Sequence, residues 1–297
     1  MSVFKAHMAK FITAGTNVLR QIDNVQIDPR IENLIQGGSS IDTLFAGAQR
    51  SIPNVTFDTP ALALMLGYIG LDGTALDTTD IYFAKFVQGG SLAGASSHVK
   101  FTIKQGLGLL RSITARQGSE AIASYEVIGT YDGTNAAIAV AISQSLIATV
   151  QAAEKFTVGP VILNATPVAI SSIRFDTGLT IVSPGTDGEL SPRLAAIAAR
   201  RYSFTCTTPD VEVINTISVD GASYDDVDIF FRNISNRGQP VADATATNVS
   251  FTAVDALVTP GPSTSSTDGP AEATFSITPV DDQSAATLAV DTSAAIA

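Results

Sequence analysis

Few side chains in this 297-residue chain could carry chemistry. Its two histidines, His7 and His98, have no motif around them that would make either a general base. Cys206 is the single cysteine, so neither an internal disulfide nor a thiolate metal set can form. Asp225, Asp226 and Asp228 cluster as hard cations require, and Asp77 and Asp80 form a similar group. Neither group has the glycine or the closing glutamate of a calcium loop, so turn and cap duty explains them better. Gly106-Leu107-Gly108 is only a fragment of a phosphate-cradling loop, and no complete nucleotide-binding motif is present. The expectation is a protein that is not an enzyme, with no catalytic, cofactor-binding or metal-binding residues.

The elements that would position any site occur twice. Asp77-Thr78-Thr79-Asp80-Ile81-Tyr82-Phe83 is answered by Asp225-Asp226-Val227-Asp228-Ile229-Phe230-Phe231. His98-Val99-Lys100-Phe101-Thr102 matches Asn248-Val249-Ser250-Phe251-Thr252, and Ala123 to Val127 matches Ala273 to Ile277. Upstream, Val55 to Pro60 matches Phe204 to Pro209, and Val25 to Asp28 matches Ile173 to Asp176. These collinear matches keep an offset of 148 to 150 residues and preserve apolar positions, as a shared strand pleat demands. Two units follow, residues 1–150 and 151–297, each of ordinary domain size. Because Asn248 replaces His98, the histidine is expected at the surface. Cys206 replaces Phe57 and reads as a buried apolar filler.

Composition narrows the class. With 45% hydrophobic and 15% charged residues the chain is globular. The net charge of −11 divides into −1 for residues 1–150 and −10 for residues 151–297. Such a surface repels phosphate, which argues against tight nucleic-acid binding. No secretory pattern opens the sequence, and the apolar stretch Ala136 to Ala153 is interrupted by Ser143, Gln144, Ser145 and Gln151. It reads as strand plus linker, with no membrane span expected.

Short alternating runs predict a mainly β chain. One helix per unit is expected, beginning at Thr59-Pro60 and at Thr208-Pro209, where Thr can cap and Pro suits the first helical position. Met1 to Asn17 reads as a leading arm, and Gln144 to Lys155 as a linker with helical character from Ala148 to Glu154. The segments Gly106 to Gly118 and Ala256 to Asp268 read as long loops of equal length. The first is apolar and basic, so Leu109, Leu110, Arg111, Ile113 and Arg116 are candidates for contact with another subunit. The second, with Pro260 and Pro262, reads as unable to extend a sheet.

The order Ser51-Ile52-Pro53 to Phe57, a helix, Ile81-Tyr82-Phe83, Lys100-Phe101-Thr102-Ile103, Gly106 to Arg111 and Tyr125-Glu126-Val127 with Tyr131-Asp132-Gly133-Thr134-Asn135 resembles virion proteins of tailed bacteriophages. It is most similar to the tail tube group. That resemblance implies two tandem β-sandwich (tail-tube-like) domains, each with one short flanking α-helix. It further implies self-assembly into rings, as a trimer with pseudo-sixfold symmetry or a hexamer, stacked into a tube alongside other tail proteins. DNA would pass through the lumen without specific binding, and the protein, made in the host bacterial cytoplasm, would reside in the virion tail. A net negative channel surface, fed by both units, would keep the duplex sliding. The alternatives are another tail, head–tail or capsid-associated structural protein. From a different class comes a carbohydrate- or receptor-binding β-protein, against which the absence of Trp argues.

Overall fold

The computed structural model describes residues 6–14, 17–19, 21–37, 43–87, 91–94, 96–147, 154–185, 188–213, 217–218, 220–234, 238–266, 269–281 and 287–296. The chain is mainly β, and every strand pairing among these residues is antiparallel.

The repeat in the sequence is a repeat in the pairing. In the first half, strands Ile138–Gln144, His98–Ile103, Thr79–Phe86, Ala6–Ala14 and Asn17–Leu19 form a five-stranded sheet in that order. The second half repeats it with Ala289–Ala294, Asn248–Ala253, Val227–Asn233, Phe156–Leu163 and Thr166–Val168. Each half adds a separate two-stranded hairpin, Ile31–Gly37 with Thr43–Ser51 and Thr180–Val182 with Ala196–Ala199. The leading arm carries a strand, Ala6–Ala14, on Thr79–Phe86, with Ile12 buried. Its bulge between Ala9 and Phe11 recurs between Val158 and Val161 in the second half.

The remaining strands of both halves share one ten-stranded sheet. From one edge it runs Asp23–Asp28, Asn54–Thr59, Ile122–Gly129 and Gly106–Arg116, with the short strand Thr74–Leu76 also on Gly106–Arg116. It continues without a break into Ser172–Asp176, Ser203–Thr208, Gly269–Pro279, Ala256–Ser266 and Ala222–Tyr224. Strand for strand, the second five repeat the first five. Gly106–Arg116 and Ala256–Ser266 are thus long strands rather than loops. Gly106 is there because a Cβ would stand 2.4 Å from the Ile128 carbonyl oxygen across the ladder.

One buried core contains residues of both halves. In the second half its centre is aromatic. Phe175 and Phe204 on the long sheet stack at 4.4 Å, and Phe251 on the five-stranded sheet lies 5.1 Å from Phe175. Offset pairs of this kind contribute beyond their area. The first half has Ile27 and Val55 at the places of Phe175 and Phe204, and keeps Phe101 at that of Phe251. Cys206 is fully buried, where Phe57 stands in the other copy.

The helix Leu62–Ile69 buries Leu62, Met65, Leu66 and Ile69 and ends at Gly70, whose φ of 67° favours glycine. It begins two residues later than Pro60. Thr59 is not its cap: Thr59 Oγ1 accepts the Ala61 N–H at 3.2 Å in a local turn. The helical N–H of Leu64 is satisfied instead by Glu154 Oε2 at 3.1 Å, from the far side of the inter-half connection. Thr208 repeats the turn, accepting the Asp210 N–H at 3.1 Å. Val213 and Ile217 are helical and buried, while residues 214–216 lie outside the described residues, as do 148–153, where linker helicity is expected.

Candidate assembly edges

The seam between the halves is a strand pair with the register Ser112↔Asp176, Ile113↔Phe175, Thr114↔Arg174, Ala115↔Ile173 and Arg116↔Ser172. Thr177 donates its N–H to the Arg111 carbonyl at 3.1 Å, and Gln117 donates to the Ser171 carbonyl at 2.8 Å. Bonded pairs alternate along an antiparallel ladder. Arg111, Ile113, Ala115 and Gln117 therefore turn their main-chain groups toward the second half. Ile113, Phe175 and Ile173 are buried there.

Side chains reinforce the seam. Glu126 is buried, accepting from Arg111 Nε at 2.6 Å and from Asn54 Nδ2 at 2.8 Å, with Arg30 at 3.6 Å. The Arg111 guanidinium also donates through Nη1 to the Leu179 carbonyl of the second half at 3.2 Å. Asp72 pairs with Arg200, and Thr177 Oγ1 donates to the Leu110 carbonyl at 2.9 Å.

Sequence reasoning assigns Leu109, Leu110, Arg111, Ile113 and Arg116 to contact with another subunit. The neighbour that this strand meets in the structure is the chain's own second half. Leu109, Leu110 and Ile113 are buried in the chain, Arg111 bridges the halves, and the exposed Arg116 caps the turn by accepting the Ser119 N–H at 3.0 Å.

The repeat assigns each half of this seam a counterpart at an outer edge of the long sheet. At an offset of 150, Ser112 to Arg116 become Pro262 to Ser266; at 148, Ser172 to Asp176 become Asn24 to Asp28. Among the described residues, Asp23–Asp28 pairs only with Asn54–Thr59, and Ala256–Ser266 beyond Val258 pairs only with Gly269–Pro279. Among the described residues, the counterparts of the two seam strands thus have no partner on the outer sides of the long sheet, at its two opposite edges.

The prolines leave that edge usable. Pro260 and Pro262 occupy the positions of Leu110 and Ser112, which alternate with the outward-facing residues. Accordingly the Pro262 carbonyl accepts from Thr274 Oγ1, inside the sheet, at 2.9 Å. Gly261 and Ser263 keep outward N–H groups, and the prolines remove neither of them, while the register shifts between Thr264 and Ser266. The expectation that this segment cannot extend a sheet is corrected. The opposite edge is partly blunted, with a bulge between Asp23 and Gln26 and Asn24 at a φ of 49°. Its regular stretch is Gln26 to Asp28, with Val25 and Ile27 half-buried.

Three of the residues weighed for chemistry, His98, Asp80 and Asp228, make hydrogen bonds within the sheets. His98 is buried, not exposed: its Nδ1 accepts the Lys85 N–H at 3.0 Å. Asn248 does the same through Oδ1 for Asn233 at 2.9 Å, so imidazole and amide are interchangeable acceptors there. Asp80 accepts from Thr102 Oγ1 and from Lys100 Nζ, and Asp228 accepts from Thr252 Oγ1 across the same ladder position. Among the described residues no group of three or more His, Cys, Asp or Glu is placed to hold a metal. No helix among them is long and apolar enough to cross a membrane.

The Arg111–Glu126 pair and the Glu154 contact escape sequence reasoning, since their partners lie 15 and 90 residues apart with no motif between them. No protein-family model matches the chain, and no curated protein matches it.

Proposed function

We propose that the chain is a structural subunit that assembles head to tail through the edges of its long sheet, as a ring-forming tail tube protein of a tailed bacteriophage virion would. In this reading each half is a β-sandwich with a flanking helix, and the strand pair joining the halves is repeated between molecules. Pro262 to Thr264 of one copy pair with Gln26 to Asp28 of the next. Such a contact is heterologous, so it closes into a ring when the rotation allows and otherwise runs on as a filament. Two equivalent units per chain suit a trimeric ring with pseudo-sixfold symmetry, stacked around a lumen that conducts DNA.

The observation that carries the reading is the pairing of Gly106–Arg116 with Ser172–Asp176 across the two halves, while among the described residues their counterparts have no partner on the outer sides of the long sheet. Cysteine cross-linking tests it. Thr114↔Arg174 is a non-bonded pair of the internal ladder, the type in which Cα atoms approach to about 4.5 Å. Its intermolecular counterpart is Thr264 with Gln26. A Gln26→Cys, Thr264→Cys chain should give a ladder of disulfide-linked multimers that collapses on reduction. Monomer alone, at concentrations where Thr114→Cys, Arg174→Cys closes its internal bridge, contradicts the reading.

A further inference from the structure

The seam between the halves has a second component, away from the sheet. The stretch Glu189 to Pro192, which leads into the second-half hairpin strand Ala196–Ala199, lies in a groove of the first half. Ser51 donates its N–H to the Leu190 carbonyl at 2.7 Å, and Tyr131 donates to the Pro192 carbonyl at 2.9 Å. Ser191 and Pro192 are buried, and the Arg193 guanidinium lies over the Tyr131 ring at 5.7 Å. With this segment in place, a cavity of about 480 Å³ remains beside Ser51, Pro53, Tyr131 and Ile138.

The second half has the same groove. Ser51, Pro53, Tyr131, Ala137 and Ile138 correspond to Arg200, Tyr202, Asp281, Thr287 and Leu288, at offsets of 149 and 150. These five residues all line one cavity of about 990 Å³. Its wall includes the exposed Val280 and the buried Leu288. Among the described residues no segment is seated in the second-half groove as Glu189 to Pro192 is in the first.

We propose that this groove is the docking site for a second copy of the chain, which inserts its first-half hairpin, Ile31–Gly37 with Thr43–Ser51. The occupant follows from the repeat. The filled groove holds the lead-in to the second-half hairpin, and the residue-for-residue counterpart of that hairpin is the first-half hairpin. Asn33↔Ala48 matches Ile181↔Ile197 in register, and Glu32↔Arg50 matches Thr180↔Ala199. The molecule's own first-half hairpin belongs to the opposite end of the long sheet, where Ile31 follows the edge strand Asp23–Asp28. The copy whose edge strand meets Pro262 to Thr264 is therefore also the copy whose hairpin reaches the groove. This inference rests on the head-to-tail reading and adds a contact to it, so each junction between chains has a main-chain ladder and a hairpin seated in a groove.

The test uses two cysteine pairs in the full chain, oxidised in parallel. The first is the edge pair Gln26→Cys with Thr264→Cys. The second is a groove pair, Thr43→Cys with Asp281→Cys, the counterparts of Pro192 and Tyr131. Both should yield intermolecular ladders, and Val280→Glu, which places a charge in the groove wall, should suppress the groove ladder more than the edge ladder. An edge ladder without a groove ladder overturns the hairpin inference and leaves the head-to-tail reading standing. A groove ladder without an edge ladder overturns the head-to-tail ladder while keeping a second copy in the groove. The absence of both overturns both. Closure of the internal Thr114→Cys, Arg174→Cys bridge verifies that the fold and the oxidation are sound.

Discussion

Glu126 is a buried carboxylate held by Arg111, Asn54 and Arg30 where the first half of the long sheet meets the second. Removing one partner of such a pair strands the other in a place built for it. Arg111 is one-third exposed, so water relieves part of that cost. Glu126→Ala should therefore lower unfolding stability by about 2–3 kcal/mol, while Arg111→Met with Glu126→Leu should cost less than the single change. Chemical denaturation of the three variants measures this; equal losses would mean that the pair contributes only packing. Leu110 and Ile113 behave differently from surface contacts. Since both are buried in the chain, changing them to Ser should cost about 2–5 kcal/mol each and prevent folding, rather than leave a folded, unassembled chain. Cys206 is fully buried, and burial pushes its thiol well above the usual range. A thiol reagent should label it only as the protein unfolds, and rapid labelling of native protein would contradict that packing. The role of Cys206 was legible in the sequence because Phe57 occupies its counterpart. The role of His98 was not, since its partner is a main-chain N–H that only the ladder brings near.

At the scale of elements, the helix Leu62–Ile69 depends on a side chain that local sequence does not offer it. Glu154 receives the Leu64 N–H, and burial raises its carboxyl pKa, with the helix N–H groups acting in the opposite direction. A carboxyl raised above its unfolded value binds its proton more tightly in the folded state. Stability from this group therefore falls as pH rises through its folded pKa. Glu154→Gln keeps an acceptor and removes the charge, so at pH 7–8 it should match or exceed the parent in thermal stability. Glu154→Ala should lose about 1 kcal/mol. A Gln variant less stable than the Ala variant would rule out a capping role. Thr59-Pro60 signalled a helix nearby and placed its start two residues early, because Thr59 is committed to a turn with Ala61 and to the Gln21 carbonyl. The two long strands read as loops because glycines in one and prolines in the other imitate turn chemistry. In the fold those glycines admit a close neighbour, and those prolines lie in a strand paired with Gly269–Pro279 and turn their ring nitrogens toward it, so the outer edge keeps its N–H groups.

For the whole molecule, the duplication was legible as a collinear offset, but the sequence did not reveal that both halves share one sheet. The internal seam is richer than its outer counterpart. Ile113 is replaced by Ser263, Arg111 by Gly261 and Thr177 by Pro29, while Arg200, the partner of Asp72, is replaced by Ser51. Assembly should therefore depend on concentration, and Ser263→Ile, which restores a buried side chain worth about 1.5–3 kcal/mol, should lower the assembly midpoint by about tenfold or more. Sedimentation velocity across a dilution series measures the shift; an unchanged midpoint would place Ser263 outside the interface. The charge of −11 belongs to the same scale. A channel-lining surface that sums to net negative, with carboxylates from both halves, would let a duplex pass without being held, whereas a neutral or basic lining would remove charge as a support for the conduit. The most direct measurement is a cryo-electron microscopy reconstruction of the assembled protein at a resolution that separates strands. Head-to-tail assembly predicts a sheet that continues from one copy to the next, with Pro262 to Thr264 antiparallel to Gln26 to Asp28. An assembly in which those two edges face solvent would contradict it.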